Sequence, residues 1–351
     1  VSFTYDPNGR ISKITYPDNL VVSYTYDNFN RLPIPSKFSS APTNQLYGMA
    51  EKASYVKTMS ISLNGAPLGT VNFTYDNAAN LTKISRFNST TTDLVYDSRQ
   101  QPKSIMHSNN SSGLQLSISY RFDGAFNIIS EDYNGPEYFP LPELPSDNKI
   151  KYNKASQILK ASKNSFKYDA DGNLEKIGEN IFSATYTPDN RPTAITTDSN
   201  SINYTYDSEG NRVKSVENTA ETQFHYDATK KLLFTTDKDG NLKNRYIYAN
   251  SMLFAFLDSS NNINFYHTDI RGSIAFITDG SGNAVVKYAY DPYGKTLASK
   301  EYDNPFTFAG AYGVMLEKNN LLYMQNRFYD PTTGRFLQRD PVGFEGGLNL
   351  Y

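Results

Sequence analysis

The feature that most constrains this chain is a short motif in which tyrosine precedes aspartate. The surrounding residues recur as well, as in FTYDPNGRISKI, FTYDNAANLTKI, FKYDADGNLEKI and YTYDSEGNRVKSV. Several neighbouring copies lie about twenty residues apart, and self-similarity at a short period indicates units that stack on one another. The tyrosines of these pairs are Tyr5, Tyr26, Tyr75, Tyr96, Tyr168, Tyr206, Tyr226, Tyr290, Tyr302 and Tyr329.

One copy of the motif predicts a β-hairpin. Tyr204 and Tyr206 alternate, so both side chains fall on one face of a strand. The carboxylate of Asp207 can accept hydrogen bonds from backbone amides just downstream, which favours a turn. Gly210 or Asn211 can supply the positive φ that a tight turn needs. Each unit is therefore expected to be strand, turn and strand, and the chain to be all-β.

Composition supports a β protein rich in turns. The 351 residues include 28 Tyr and 21 Phe but no Trp and no Cys. Tyrosine favours strands because its ring packs on the sheet while its hydroxyl reaches a polar neighbour. The 34 Lys and Arg residues nearly balance the 36 Asp and Glu residues, so no basic surface argues for nucleic acid.

Two Pro-rich stretches, at about residues 32–50 and 131–148, interrupt the repeat. Proline cannot donate to a strand ladder, so we expect loops or extended insertions there, with domain linkers as the alternative. The most apolar run, from Tyr246 to Asp258, is too short to span a bilayer and is predicted to form strands. The chain also begins inside a repeat, so we expect the native polypeptide to be longer.

The Tyr-Asp units resemble the YD repeats of the Rhs family. Residues 265–351 resemble its repeat-associated core domain more closely. The matching pieces are FYHTDIRGSIAFITDGSGNAVVKYAYDPYGK, NPFTFAGAY and RFYDPTTGRFLQRDPVGFEGGLNLY. This resemblance implies a β-ribbon that winds as a spiral around a hollow interior, as in toxin-complex C components and teneurins. Residues 1–264 would then form part of the shell. Residues 265–351 would be the core that plugs it, truncated before the segment where family members are usually cut.

The same resemblance implies a self-cleaving aspartyl protease at the core domain. Asp340, which follows Arg339 in the RDPVG motif, matches the family position for this chemistry, and Arg339 could either stabilise the Asp340 carboxylate or polarise the scissile carbonyl. Two carboxylates that share a proton have pKa values pushed apart, so one acts as base and the other as acid. Asp330, Glu345 or a residue beyond Tyr351 could supply the second acid. The open alternative for Asp330 and Asp340 is a purely structural one, because Asp-Pro sequences form turns readily.

We predict no cofactor and no metal site. The three histidines, His107, His225 and His267, show no metal-ligand spacing and are interpreted as packed or surface side chains. The runs TDKDGN and YDADGN faintly resemble calcium loops but lack the closing acidic residue, so they are interpreted as repeat turns.

Two functional hypotheses follow from the repeats and the family resemblance. In the first, the chain is a structural shell that encloses a toxin or effector in the same polypeptide. It would work with secretion machinery or a partner shell subunit, and any enzyme activity would be one self-cleavage. In the second, it is an adhesion protein that presents carbohydrate- or protein-binding repeats. Both place the chain outside the cell, secreted or at the surface, without nucleic acid as a partner.

Overall fold

The computed structural model describes residues 1–27, 55–140, 150–198, 200–346 and 349–351. Its regular structure consists of antiparallel strands and two short 3₁₀ turns, Gly310–Tyr312 and Gly343–Gly346, which confirms the all-β prediction. None of the described residues belongs to a helix that is both long and apolar enough to span a membrane.

Ten strands form the first run, and each pairs with the next along the chain. They are β1 (Ser2–Tyr5), β2 (Ile11–Thr15), β3 (Leu20–Asp27), β4 (Tyr55–Leu63), β5 (Ala66–Tyr75), β6 (Leu81–Ser85), β7 (Thr91–Tyr96), β8 (Pro102–Asn109), β9 (Leu114–Phe122) and β10 (Ile128–Asn134). Because strand order follows chain order, the first run is a continuous series of hairpins.

A second run repeats this arrangement, and consecutive strands again pair antiparallel. It comprises β11 (Ile150–Tyr152), β12 (Ile158–Ala161), β13 (Asn164–Tyr168), β14 (Leu174–Ile177), β15 (Phe182–Tyr186), β16 (Pro192–Thr197), β17 (Ser201–Tyr206), β18 (Arg212–Glu217), β19 (Ala220–Tyr226) and β20 (Leu232–Thr236).

The remaining strands form a third run and a small C-terminal sheet. The third run comprises β21 (Leu242–Ala249), β22 (Met252–Leu257), β23 (Ile263–Thr268), β24 (Ile274–Thr278), β25 (Ala284–Tyr290) and β26 (Thr296–Ala298). The four-stranded sheet comprises β27 (Met315–Leu316), β28 (Leu322–Met324), β29 (Arg327–Asp330) and β30 (Arg335–Phe336). Strands β21 and β22 confirm that the apolar run from Tyr246 forms strands.

The described chain divides into two compact units. The first contains Val1–Phe139, Arg245–Tyr288 and Ala298–Tyr302, and the second contains Pro140–Asn244, Ala289–Leu297 and Asp303–Tyr351. Each unit is thus assembled from separated stretches of sequence. The predicted boundary between residues 264 and 265 falls within β23, and as a functional division it stays a prediction.

Aspartate organises the repeat turn as predicted. The Asp207 carboxylate accepts hydrogen bonds from the backbone amides of Glu209 at 2.9 Å and Asn211 at 2.8 Å. Gly210 supplies the positive φ of 80°. Asn211 has a different role from the one considered above, because its side-chain amide donates to the second Asp207 oxygen at 2.9 Å. The same two backbone bonds recur at Asp6, Asp76, Asp97, Asp123, Asp237, Asp258 and Asp279.

The tyrosine of the motif connects one hairpin to the preceding one. Tyr26 donates its hydroxyl to the carbonyl of Ile11 at 2.6 Å, and Tyr206 donates to Pro192 at 2.9 Å. In both cases the acceptor is the first residue of a strand that follows an earlier turn. Burial raises the pKa of Tyr26 to about 12, so its hydroxyl stays protonated and able to donate at neutral pH. The Tyr-Asp pair therefore couples a turn to the neighbouring hairpin.

In the first unit, the first run packs face to face on the third. Tyr24 donates its hydroxyl to the carbonyl of Tyr248 at 2.8 Å, and the rings of Phe73 and Phe254 lie 5.6 Å apart. Aliphatic and aromatic side chains from both runs fill the interior between them, among them Leu20, Val22, Met59, Ile61, Ile105, Ile118, Phe265 and Phe276.

In the second unit, the C-terminal segment, defined as residues 303–351, packs on the second run of strands. The ring of Tyr204 lies 5.0 Å from that of Phe328, and the backbone amide of Leu174 donates to the carbonyl of Leu337 at 2.8 Å. These contacts explain why Tyr204 is buried.

The Pro-rich stretches are described only in part. Strand β10 continues through residue 134, so the start of the second stretch is strand, and Pro136 follows it in a loop. Residues 32–50 and 141–148 lie outside the described residues.

Candidate functional site

Asp330 forms the turn between β29 and β30. Its carboxylate accepts from the backbone amide of Thr332 and from the hydroxyl of Thr333, each at 2.8 Å. Gly334, with φ of 66°, closes the turn by donating its amide to the Asp330 carbonyl at 2.9 Å. Burial raises the pKa of the Asp330 carboxyl, and the hydrogen bonds from the two threonines oppose that shift.

Asp340 forms an ion pair with Arg327. Its carboxylate lies 2.9 Å from the Arg327 guanidinium, and the other oxygen accepts from the amide of Val342 at 3.0 Å. The Arg327 guanidinium also lies 3.6 Å from the centre of the Phe336 ring. The backbone amide of Asp340 donates to the carbonyl of Leu350 at 2.8 Å. Asp340 thus connects β29 to the last residues of the chain.

Arg339 faces a different group. Its Nε donates to the hydroxyl oxygen of Tyr351 at 3.0 Å, and that oxygen also accepts from the side-chain amide of Gln157 at 2.8 Å. The Tyr351 hydroxyl donates in turn to the carbonyl of Gly172 at 2.9 Å. We call Gln157, Gly172, Arg339 and Tyr351 the Tyr351 cluster. Gly172, with φ of 90°, leaves space for it, because a Cβ there would lie 2.6 Å from the Tyr351 hydroxyl.

The structure therefore separates the two residues predicted as catalytic. Asp340 is paired with Arg327, whereas Arg339 bonds to Tyr351. The charge partner of Asp340 is an arginine that sequence reasoning missed. The one sequence feature that marked Arg327 was its place as the first residue of the short apolar-aromatic strand RFYD.

The second acid is not identified among the described residues. Asp330 lies three positions after Arg327 on β29, so its side chain projects from the opposite face of the strand, about 10 Å further along. Glu345 is exposed in the 3₁₀ turn Gly343–Gly346. Among the described residues, no hydrogen bond joins Asp340 to another carboxylate. The catalytic roles of Asp340 and Arg339 stay predictions.

Among the described residues of the second unit, the most buried charge is a further residue that the sequence did not reveal. Arg212, only 1% exposed, lies 2.5 Å from the Glu317 carboxylate and 3.2 Å from the sulfur of Met315. Its guanidinium lies 4.1 Å from the centre of the Tyr323 ring and 4.4 Å from that of Phe224. Burial acts to lower its pKa, but Glu317 and nearby tyrosines outweigh burial and raise it. Arg212 thereby fixes the C-terminal segment to the second run.

The calcium-like runs form ordinary repeat turns. The Asp237 carboxylate accepts from the amides of Asp239 and Asn241, both at 2.9 Å, and Asp239 pairs with Lys238 at 2.8 Å. In the other run, the Asp169 carboxylate accepts from the amide and the side chain of Asn173, each at 2.8 Å. The described residues contain no group of three or more His, Cys, Asp or Glu side chains placed to hold a metal ion.

The histidines pack in strands, as predicted. His225 stacks on Phe234 with ring centres 4.2 Å apart. His107 and His267, which are distant in sequence, meet inside the first unit, where their Nδ1 atoms lie 3.4 Å apart. No spacing in the sequence indicated that these two histidines would be neighbours.

The model of the Teneurin YD-shell matches residues 143–346, more than half of the chain, and an RHS repeat model matches residues 5–34. The chain belongs to the Teneurin YD-shell family. This confirms the resemblance to Rhs and YD-repeat proteins inferred from the Tyr-Asp motif.

Curated relatives of this YD-shell chain include several toxins. It is 33% identical over 207 residues to tRNA nuclease WapA of Bacillus subtilis (strain 168), which covers 57% of this chain and 9% of that protein. It is 33% identical over 114 residues to double-stranded DNA deaminase toxin A of Burkholderia cenocepacia (strain H111), covering 30% and 8%. Toxin subunit YenC1 of Yersinia entomophaga is 29% identical over 96 residues, covering 26% and 10%. The YD-shell chain thus spans about a tenth of the length of these relatives.

Solved structures show the same fold over nearly the whole chain. A TcdB2–TccC3–TEV structure superimposes with a TM-score of 0.68 at 15% identity, covering 99% of this chain and 20% of that one. The Photorhabdus luminescens Tc holotoxin pore, which carries a TccC3 mutation, superimposes with a TM-score of 0.65 at 15% identity, with the same coverage of both chains. The all-β fold predicted from the repeats is therefore shared with these structures.

Proposed function

We propose that this chain is the structural shell of a toxin-type Rhs protein and encloses an effector carried in the same polypeptide. One observation carries the proposal. Two relatives are named for different activities, a tRNA nuclease and a DNA deaminase, and a third is named as a toxin subunit, yet each shares part of this one YD-shell chain. A segment common to proteins of such different chemistry is suited to carrying an effector rather than to performing its reaction.

The continuous series of hairpins supports an enclosing role. Consecutive strands pair antiparallel, and Tyr-Asp turns couple each hairpin to its neighbour. Such a sheet forms a wall without requiring any particular substrate chemistry. We place the shell outside the cell, with secretion machinery or a partner shell subunit as its further partners.

We also propose one self-cleavage at the core domain, with Asp340 as the reacting carboxylate. The Arg327 guanidinium, 2.9 Å from the Asp340 carboxylate, fixes the position of that side chain. Arg339 holds the segment that follows Asp340 through Tyr351, which is a positioning role. The second acid would come from outside the described residues.

The test is expression of the complete open reading frame with Asp340→Asn, followed by gel electrophoresis. The unsubstituted protein is expected to give two fragments that stay together in size-exclusion chromatography, and the variant a single uncut chain. Asp330→Asn is the matched control and is expected to cleave normally, because Asp330 projects from the other face of β29. If Asp340→Asn is still cleaved, the protease assignment is wrong. If added proteases digest the effector freely while the protein is otherwise intact, the shell does not enclose it.

Adhesion is the second candidate. Exposed tyrosine rings favour it, since Tyr5 and Tyr293 are each 61% exposed and such rings can stack on sugars or on a partner protein. The sequence that follows residue 351 in the complete reading frame separates the two functions. A compact unrelated domain there supports an effector, and further repeats support adhesion.

A further inference from the structure

A buried polar layer lies between the first and third runs of the first unit. Its members come from separate elements. Arg86 precedes β7, Thr92 and His107 belong to β7 and β8, and His267 and Thr278 belong to β23 and β24. His107 is 1% exposed and His267 is fully buried. We call these five residues the histidine layer.

Continuous hydrogen bonds join its members. Arg86 Nη1 lies 2.9 Å from Thr92 Oγ1, which lies 2.9 Å from His107 Nδ1. His107 Nε2 lies 3.1 Å from the carbonyl oxygen of Thr268. The Nδ1 atoms of the two histidines lie 3.4 Å apart, and His267 Nε2 lies 3.0 Å from Thr278 Oγ1. The layer therefore connects the two runs through side chains alone at its centre.

The chemistry of the end groups fixes the direction of these bonds. The Thr268 carbonyl only accepts, so His107 carries its proton on Nε2 and presents a lone pair at Nδ1. Arginine only donates, so Thr92 accepts from Arg86 and gives its own proton to His107 Nδ1. The 3.4 Å contact between the rings is longer than an ordinary hydrogen bond, and its geometry requires His267 to donate from Nδ1 to the lone pair that also accepts from Thr92.

The far end of the layer agrees with this direction. The side-chain amide of Asn88 donates to Thr278 Oγ1 at 3.2 Å, which leaves the Thr278 proton for His267 Nε2. Both imidazoles are then neutral, but as opposite tautomers. A proton added to Nδ1 of His107 would face two groups that donate to that nitrogen, the Thr92 hydroxyl and His267 Nδ1. A proton added to Nε2 of His267 would likewise face the hydroxyl proton of Thr278.

In the described part of the chain, no countercharge faces the pair to accommodate such a proton. Phe276 stacks on His267 with ring centres 4.3 Å apart and meets His107 edge-on at 5.4 Å. Among the described residues, the charged group that faces the histidines is Arg86, itself a cation. The carboxylates on nearby elements serve other partners. Asp93 of β7 pairs with Lys83, Asp269 after β23 pairs with Arg271, and Asp279 after β24 caps its own turn.

We propose that the histidine layer is an acid-labile contact, which holds the first and third runs together while both imidazoles are neutral and releases them when either is protonated. This inference concerns the first unit alone and does not rest on the enclosure of an effector.

The pKa values agree in direction. Burial, followed by the charge of Arg86, lowers the pKa of His107 to about 3 and that of His267 well below the ordinary value of 6.5. Unfolded histidines bind protons near pH 6.5, so the unfolded state binds more protons than the folded state below that pH. Stability is fully present above pH 6.5 and is lost as the pH falls. Below pH 6.5, each fall of one pH unit raises the unfolding equilibrium constant roughly tenfold for one such histidine and roughly a hundredfold for the pair.

Nitrogen NMR of the histidine rings in the unsubstituted chain tests the bonding scheme directly. At pH 7 we expect His107 protonated on Nε2 alone and His267 on Nδ1 alone, with neither titrating between pH 7.5 and 5.5 while the protein stays folded. An imidazolium signal from either ring at pH 7, or the same tautomer in both, overturns the proposal. This measurement needs no substitution in the core.

Urea unfolding between pH 7.5 and 5 tests the consequence. His107→Gln/His267→Gln keeps polar side chains without titrating groups, and should lose most of the pH dependence shown by the unsubstituted chain. His225→Gln is the control, because His225 is half-buried in the second unit and bonds to the Thr236 hydroxyl. It should keep most of that dependence. Equal pH slopes for the double variant and the unsubstituted chain overturn the proposal, and if the double variant does not fold, the ring NMR decides alone.

Discussion

The repeat hairpins and the C-terminal segment of the second unit are stabilised in opposite ways. In the hairpins, the same bonds recur from copy to copy, with an aspartate closing the turn and a tyrosine reaching the previous hairpin. In the C-terminal segment, contacts between single residues, several of them distant in sequence, form the main polar bonds, namely the Arg212–Glu317 pair, the Asp340–Arg327 pair and the Tyr351 cluster. Stability is thus distributed in the hairpins and concentrated in the segment.

This difference follows from local chemistry. A hairpin supplies its own turn bonds from residues within four positions, so it needs little from distant sequence. The C-terminal segment has short strands and irregular connections, so buried long-range contacts must fix it in place. Substitutions should therefore have larger effects in the segment than in any one hairpin.

The largest effect is expected from Glu317→Gln. The change leaves the Arg212 cation buried among aromatic rings without its counter-ion, and breaking a buried pair from one side costs about 3–5 kcal/mol. We expect a correspondingly lower urea midpoint for unfolding, monitored by tyrosine fluorescence.

The control for that change removes both charges. Arg212→Met/Glu317→Leu leaves no unpaired ion, so it should be more stable than Glu317→Gln although it loses more polar contacts. If the single variant is as stable as the unsubstituted chain, the C-terminal segment does not depend on this pair and the comparison between the two regions fails.

A medium effect is expected from Gly172→Ala. At φ of 90° an alanine is strained by about 1–3 kcal/mol, and its Cβ also collides with Arg339 and the Tyr351 hydroxyl. We expect a lower unfolding midpoint and faster proteolysis of the last residues of the chain.

Gly240→Ala is the matched control for Gly172→Ala. Gly240 occupies the same position of a repeat turn at φ of 85°, but nothing lies within 4 Å of its added Cβ. Gly240→Ala should lower the unfolding midpoint through backbone strain, but it should not speed the proteolysis of the C-terminal residues. Equal proteolysis of the two variants contradicts the assignment of Gly172 to the Tyr351 cluster.

The same contrast separates what the sequence could predict from what it could not. The turn at Asp207 and the positive φ of Gly210 were predictable because every group involved lies within four residues. The position of Tyr204 and Tyr206 on the same face of their strand was predictable, because side chains along a strand alternate with a period of two. The all-β fold follows from repeating such units, and the structure confirms it.

Contacts between distant residues were not predictable. Arg212 and Glu317 are separated by 105 positions, and each stands in an ordinary strand or turn sequence. His107 and His267 are 160 positions apart and carry no spacing signal. Asp340 and Arg339 are adjacent, yet they bond to different partners because successive side chains point in different directions. One sequence shows which side chains can bond, but the packing of runs on one another decides which do.

The smallest effect, and the most direct test of distributed stability, is expected from Tyr206→Phe. The substitution keeps the ring and removes one hydrogen bond, from the hydroxyl to the Pro192 carbonyl at 2.9 Å. One such bond contributes about 1 kcal/mol, and the other hairpins keep theirs. Tyr5→Phe is the control, because Tyr5 holds the same place in the motif but is 61% exposed, so its hydroxyl is solvated in both states and the unfolding midpoint should not move. A loss from Tyr206→Phe as large as that from Glu317→Gln shows that single hairpins are as critical as the C-terminal contacts, and the distinction drawn between the two regions then disappears.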